Sequence, residues 1–300
     1  MQMPRSLLVV GLVAVMALVM LGSAQAQIGA RAIAMGGAFV GLADDVSATY
    51  WNPAGLAFLP GAGATYGGAL NNRDGVAFSD FAAYVTPFDE TSTIGLSYAR
   101  GVVESVSAYD LSFEWTQSLW WVSYAYRATN STGIGLNVRW INDDVTASDE
   151  GLPVEMSVDT DLGVDVAAYH QVSERISVGL MVTNLNEPEL RIAVAGEPEG
   201  KGNISREYTP GVAMRFPEQG LIVVADIHDV TDVVEAGIRV GAEKAFPRDQ
   251  YTLALRAGYH GNAHAVTLGG GIHYGDWTAD IAVLGGDFDN TCYASLTTCF

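Results

Sequence analysis

From about Gly63 onward, apolar and polar positions alternate along the chain with a period of two, segment after segment. Tyr251, Leu253, Leu255, Ala257 and Tyr259 alternate with Thr252, Ala254, Arg256 and Gly258. Ile134, Leu136, Val138 and Trp140 alternate with Gly135, Asn137 and Arg139. The runs Ala236–Glu243 and Val266–Tyr274 repeat the pattern. A period of two puts one greasy and one small or polar face on each strand. Alternation alone also fits a soluble sandwich. The aromatics decide between the two, because Trp140, Tyr251, Tyr259 and Tyr274 stand at the ends of their apolar faces, where a membrane barrel carries its interfacial girdles. The pattern predicts strands near 62–70, 75–86, 93–103, 117–128, 131–141, 160–170, 173–184, 206–216, 220–228, 234–246, 250–260, 263–275, 277–284 and 291–300. Such lengths suit tilted strands that cross a bilayer. The predicted fold class is therefore all-β, a transmembrane antiparallel up-and-down β-barrel of about 14 strands.

The gaps between segments carry a second signal. The longest, 104–116, 142–159 and 185–205, all follow odd-numbered strands, whereas the gaps after even-numbered strands, such as 128–130 and 171–172, are short. With a periplasmic N-terminus this is the barrel rule of short periplasmic turns and longer outer loops.

Ahead of the strands lie two segments that do not alternate. Arg5 followed by the apolar run Leu7–Leu21 and by Ala24-Gln25-Ala26 matches a secretory signal peptide cleaved after Ala26. The run of about 15 residues is short of the ~20 a membrane helix needs. The expected division is a signal peptide over 1–26, an N-terminal hatch over 27–61 and a barrel over 62–300. In the hatch, Asp44, Asp45 or Ser47 can cap a short helical turn through Trp51, and Asn52-Pro53 can end it. Gly36, Gly37, Gly41 and Gly55 suit close backbone approach or positive φ.

Composition supports this picture. The chain is 49% hydrophobic but only 16% charged, below the ~25% of soluble domains. A formal charge of −19 repels nucleic acid, so no nucleic-acid partner is expected. Cys292 and Cys299, seven apart in an extended strand, sit roughly 24 Å from each other and cannot pair. No metal site or cofactor site is expected from them. Inward-facing candidates are Arg139, Asp165, Arg215, Asp226, His228, Arg239, Glu243, Arg256, His273 and Asp280. Paired carboxylates can do acid–base work, but opposed Arg and Asp rungs serve equally to neutralise buried charge. His260 and His264 flank a hairpin, a spacing that does not converge on a metal. Gly133-Ile134-Gly135 lies in a strand and is no phosphate loop. Nothing points to an enzyme. The loop acids Asp143, Asp144, Asp149, Glu150, Glu155 and Asp159 suit a solvated loop, or calcium or lipopolysaccharide bridged by divalent ions.

The run Gly29–Ala57, with Ala43-Asp44-Asp45 followed by Asn52-Pro53-Ala54-Gly55-Leu56, resembles the hatch of the PorV and FadL superfamily of outer-membrane barrels. Leu255–Tyr259 and Leu268–Ile272 resemble PorV-type strand endings. The resemblance implies a fourteen-stranded barrel with a plug, in the outer membrane of a Gram-negative-type bacterium, among lipid and lipopolysaccharide. Its FadL branch implies binding or passage of hydrophobic small molecules; its PorV branch implies a barrel that receives secreted proteins without transporting small molecules. A purely structural, membrane-anchoring barrel is the third reading. The long outer loops of FadL-type fatty-acid transporters are missing, which argues against fatty-acid capture. The hatch residues expected to gate or bind ligand are Arg31, Gly36, Gly37, Asp44, Asp45, Asn52, Pro53 and Gly55, with Asp44, Asp45, Asn52 and Pro53 anchoring the plug against wall arginines. Phe300, with Leu296 on its face, resembles the terminal aromatic that the barrel-assembly machinery reads in outer-membrane proteins.

Overall fold

The computed structural model describes residues 28–70, 77–108, 111–149, 152–154, 156–194, 199–230, 237–285 and 290–300. The expected signal peptide lies outside the described residues, as do Glu150 and Glu155 of the acidic loop. The strands are β1 (Gly63–Ala69), β2 (Ala77–Pro87), β3 (Ser92–Ala108), β4 (Leu111–Arg127), β5 (Thr132–Asp149), β6 (Leu152–Val154), β7 (Met156–Thr160), β8 (Gly163–Gln171) and β9 (Ile176–Thr183). They continue as β10 (Glu189–Val194), β11 (Gly200–Asn203), β12 (Glu207–Phe216), β13 (Leu221–His228), β14 (Gly237–Pro247), β15 (Thr252–His260), β16 (Ala265–Tyr274), β17 (Trp277–Gly285) and β18 (Thr291–Cys299).

Among the described residues, fourteen of these form a closed antiparallel barrel in the order β1-β2-β3-β4-β5-β8-β9-β12-β13-β14-β15-β16-β17-β18. It closes where β18 pairs with β1, with Tyr66 opposite Leu296 and Gly63 opposite Cys299. Closure leaves no barrel edge, which a structure in hydrocarbon requires because lipid offers no partner for a free amide or carbonyl. Phe300 extends the seam, its amide donating to the Ala62 carbonyl at 2.8 Å. Among the described residues, Cys292 and Cys299 form no disulfide. Among the described residues no helix is long and apolar enough to cross a membrane.

The three long gaps are where the structure departs from expectation. Over 104–116, β3 and β4 continue as a ribbon beyond a bulge, pairing Val106 with Phe113. Over 142–159, β5 runs on to Asp149 and pairs with β6, while β7 pairs with β10. Over 185–205, β10 and β11 form a hairpin. These segments are strands, because a hairpin's backbone bonds do not depend on one face being greasy. Outside the lipid the side chains lose the alternation by which the other strands are read.

The greasy faces point outward. Leu255, Leu268 and Ile281 are 61%, 58% and 62% exposed, on the surface the bilayer covers. Tyr98, Trp120 and Trp140 are register neighbours across three strands, and the first two rings lie 4.5 Å apart. That row forms part of an aromatic girdle. Tyr274 and Trp277 flank the β16–β17 turn. The inner faces carry glycine, small residues and paired charges, and the space they leave is filled by the N-terminal segment.

Candidate functional site

The hatch enters the lumen at Ile28, forms helix α1 (Ala30–Ala34), turns at Gly36-Gly37, forms helix α2 (Ala48–Trp51) and passes through a 3₁₀ turn (Pro53–Phe58) to β1. Gly36 and Gly37 both have φ of 70°, a conformation that favours glycine. The Ser47 side chain does not cap α2. Asp45 does the local work instead, its Oδ1 accepting from the Ser47 amide at 2.8 Å and the Ser47 hydroxyl at 2.5 Å. Asn52 Oδ1 caps the 3₁₀ turn through the Ala54 amide at 3.1 Å.

Hatch backbone lies directly on the wall, and the inner-face glycines make this possible. A side chain at Gly135, Gly179, Gly211, Gly241 or Gly258 would collide with hatch backbone at Ala54, Val40, Gly41, Met35 or Gly36 respectively. Wall side chains then satisfy the hatch's backbone groups, as buried amides and carbonyls require. Asp226 Oδ2 accepts from the Phe39 and Val40 amides at 2.7 and 2.9 Å. The Thr267 hydroxyl donates to the Ala34 carbonyl and accepts from the Gly36 amide, each at 3.0 Å. Trp121 Nε1 and Asn137 Nδ2 both donate to the Thr49 carbonyl. An aromatic chain spans the plug from Phe39 through Trp51, Tyr50 and Trp121 to Phe81, with centroid spacings of 6.5, 5.1, 6.1 and 6.0 Å.

On the side of the short turns β14–β15 and β16–β17, the hatch borders a cavity of about 320 Å³. An ion-pair ladder runs along it. Asp44 meets Arg31 at 2.6 Å, Arg31 meets Glu243 at 2.9 Å, Glu243 meets Arg256 at 2.6 Å and Arg256 meets Asp280 at 2.8 Å. Asp45 joins Arg31 at 3.0 Å, and Arg215 approaches Asp44 at 3.7 Å. Burial opposes the Arg31 charge, but Asp44, Glu243 and Asp45 outweigh it and hold the guanidinium well above its ordinary value.

On the outer side, Tyr50 is partly exposed beside Arg239, Arg139 and Glu207, and burial pushes its phenol up to about 12. Arg139 is bound to Asp165 at 2.8 Å and to Asn184 at 2.6 Å. Arg239 is 3% exposed, and its Nε and Nη2 have no hydrogen-bond partner among the described residues. His228 approaches Glu207 at 3.7 Å.

No protein-family model matches the sequence, and a search of curated proteins finds no match. Solved structures do match. The Ralstonia pickettii toluene transporter TbuX superposes with a TM-score of 0.65 at 14% identity, covering 91% of this chain and 98% of that one. The Pseudomonas putida toluene transporter TodX gives 0.63 at 14% identity over 91% and 97%. A Pseudomonas aeruginosa FadL homologue gives 0.60 at 12% identity over 88% and 96%. The fold is that of the FadL-type outer-membrane channels.

Within this barrel the expected hatch residues divide between two walls. Arg31, Asp44 and Asp45 come together over the cavity, Gly36 and Gly37 press on β14 and β15, and Asn52, Pro53 and Gly55 lie against β5, β8 and the hatch itself. The anchoring pattern differs from expectation. Asp44 reaches a wall arginine only at 3.7 Å, and Asp45 meets Arg31 of the hatch. Asn52 Nδ2 donates to the Val40 and Ala168 carbonyls. An amide matches backbone carbonyls, and Arg139, the arginine on that wall, is already bound to Asp165. Asp226 and Thr267 hold the hatch yet have no marker in the hatch sequence. Their inward parity was legible; their partner was not. His260 Nδ1 accepts from the Ala263 amide and His264 lies 3.5 Å from the Tyr259 hydroxyl. Among the described residues no group of three metal-ligating side chains converges. The acid Asp159 is paired with Arg191 at 2.9 Å.

Proposed function

We propose that this chain is an outer-membrane channel of the FadL type that binds hydrophobic small molecules and passes them across the membrane, with the hatch as its gate. The supporting observation is the cavity of about 320 Å³ that Arg31, Asp44 and Asp45 line on one side of the plug, with the aromatic Tyr50 partly exposed on the other. The solved structures that share the fold include two named as toluene transporters, so small aromatic hydrocarbons are the first ligands to try. In this reading Arg31, Asp44 and Asp45 hold the gate closed on the periplasmic side, Gly36 and Gly37 let it bend, and Asn52, Pro53 and Gly55 fix its far end. Residues 1–26 act as a Sec signal peptide, and Phe300 addresses the chain to the barrel-assembly machinery in the outer membrane. Alanine at Asp44, Asp45 or Asn52 changes the rate of toluene uptake by cells carrying this barrel several-fold, with the barrel still migrating as a folded, heat-modifiable band. Uptake at the wild-type rate in all three variants would sink the gating role.

One observation favours the second reading, a PorV-like barrel that receives exported proteins. A separate three-stranded sheet, β7–β10–β11, stands beside the barrel, and its edge strand Gly200–Asn203 is exposed throughout. Co-purification of exported proteins with the barrel, together with no toluene uptake above an empty-vector control, selects that reading.

A further inference from the structure

The outer floor of the hatch has a chemistry that a pure hydrocarbon cannot meet. Its apolar part is the Tyr50 ring, 5.1 Å from Trp51 and 6.1 Å from Trp121. Its polar part is the Tyr50 hydroxyl with the Arg239 guanidinium, whose Nε and Nη2 have no hydrogen-bond partner among the described residues and which is 3% exposed. Unpaired buried donors are costly, so a ligand that brings an acceptor is favoured over one that does not.

The charge balance then selects the kind of acceptor. Asp226, Asp165 and Glu207 stand around the two arginines, and Arg139 is already neutralised by Asp165. Asp226 lies opposite Arg239 in the β13–β14 register. Asp229, which also acts on Glu207, adds a further negative charge. The set carries more carboxylates than guanidiniums, so an incoming anion is repelled, while a neutral oxygen can accept from Arg239 without adding charge.

We infer that the outer face of the hatch is a binding site for neutral, oxygen-bearing aromatic molecules such as phenols, with the ring on Tyr50 and the oxygen directed at the Tyr50 hydroxyl and Arg239. This deepens the channel reading and rests on it. The Tyr50 phenol stays protonated at neutral pH and can therefore donate to the ligand oxygen.

Three ligands with one ring separate the outcomes: toluene, p-cresol and p-toluate, measured by equilibrium dialysis against the purified full-length barrel in detergent. The expected order is p-cresol tightest, toluene about tenfold weaker and p-toluate weakest. Tyr50→Phe weakens p-cresol about tenfold, changes toluene less than twofold and leaves the folded band intact. Toluene binding as tightly as p-cresol overturns the inference and leaves the channel reading standing. The same division holds if p-toluate binds tightest, or if p-cresol is unaffected by Tyr50→Phe. Binding of none of the three overturns both.

Discussion

At Arg31, one guanidinium of the hatch meets Asp44 and Asp45 of the hatch and Glu243 of the wall. The Arg31 side chain is 16% exposed and Glu243 only 10%, so truncating the arginine leaves two largely buried carboxylates, Glu243 and Asp280, to share the single Arg256 guanidinium. Removing one partner of such a pair typically destabilises by about 3–5 kcal/mol. Arg31→Met should therefore lower the opening free energy of the hatch by about that amount. Amide exchange at Ala48 and Thr49 then speeds by 100-fold or more; exchange at the wild-type rate contradicts the latch. The guanidinium itself adds no pH dependence near neutrality. Its folded pKa is raised, so the stabilisation it gives is complete at every pH below the ordinary guanidinium value and fades only above it. At this scale the sequence was informative about chemistry and poor about partners. Arg31, Asp44 and Asp45 were legible as a charged set, whereas Asp226 and Thr267 act on backbone groups that every residue possesses.

The hatch and the wall are fitted to each other as elements through glycine. In the alternating pattern Gly135, Gly179, Gly211, Gly241 and Gly258 read simply as small inward positions. Their partners, the backbone of Ala54, Val40, Gly41, Met35 and Gly36, belong to a segment without periodicity. The strands were legible because lipid enforces a greasy face on every second residue. The outer ribbons and the contacts of the hatch were not, since neither depends on that pattern. Gly241→Val suits a strand but drives a side chain into the Met35 backbone. The barrel should assemble while the hatch is displaced, and trypsin should cut after Arg31 in the variant while sparing the wild type. Equal protection of both would mean the hatch does not press on β14.

On the scale of the whole molecule, the closed fourteen-stranded wall supplies a rigid frame and the plug decides what the frame does. The hatch is bound around the wall from β3–β5 through β8–β9 to β12–β16. On the channel reading proposed above, passage requires the plug to shift, and locking the plug to the wall tests this directly. The methyl of Thr49 lies 3.1 Å from where a Gly95 side chain begins, so Thr49→Cys with Gly95→Cys, after Cys292 and Cys299 are changed to Ser, can place a disulfide between hatch and β3. The measurement is toluene uptake by cells carrying this variant, oxidised and then reduced. Uptake at least tenfold slower in the oxidised form and restored by reductant is the predicted result; equal uptake in the two states contradicts a hatch-gated channel.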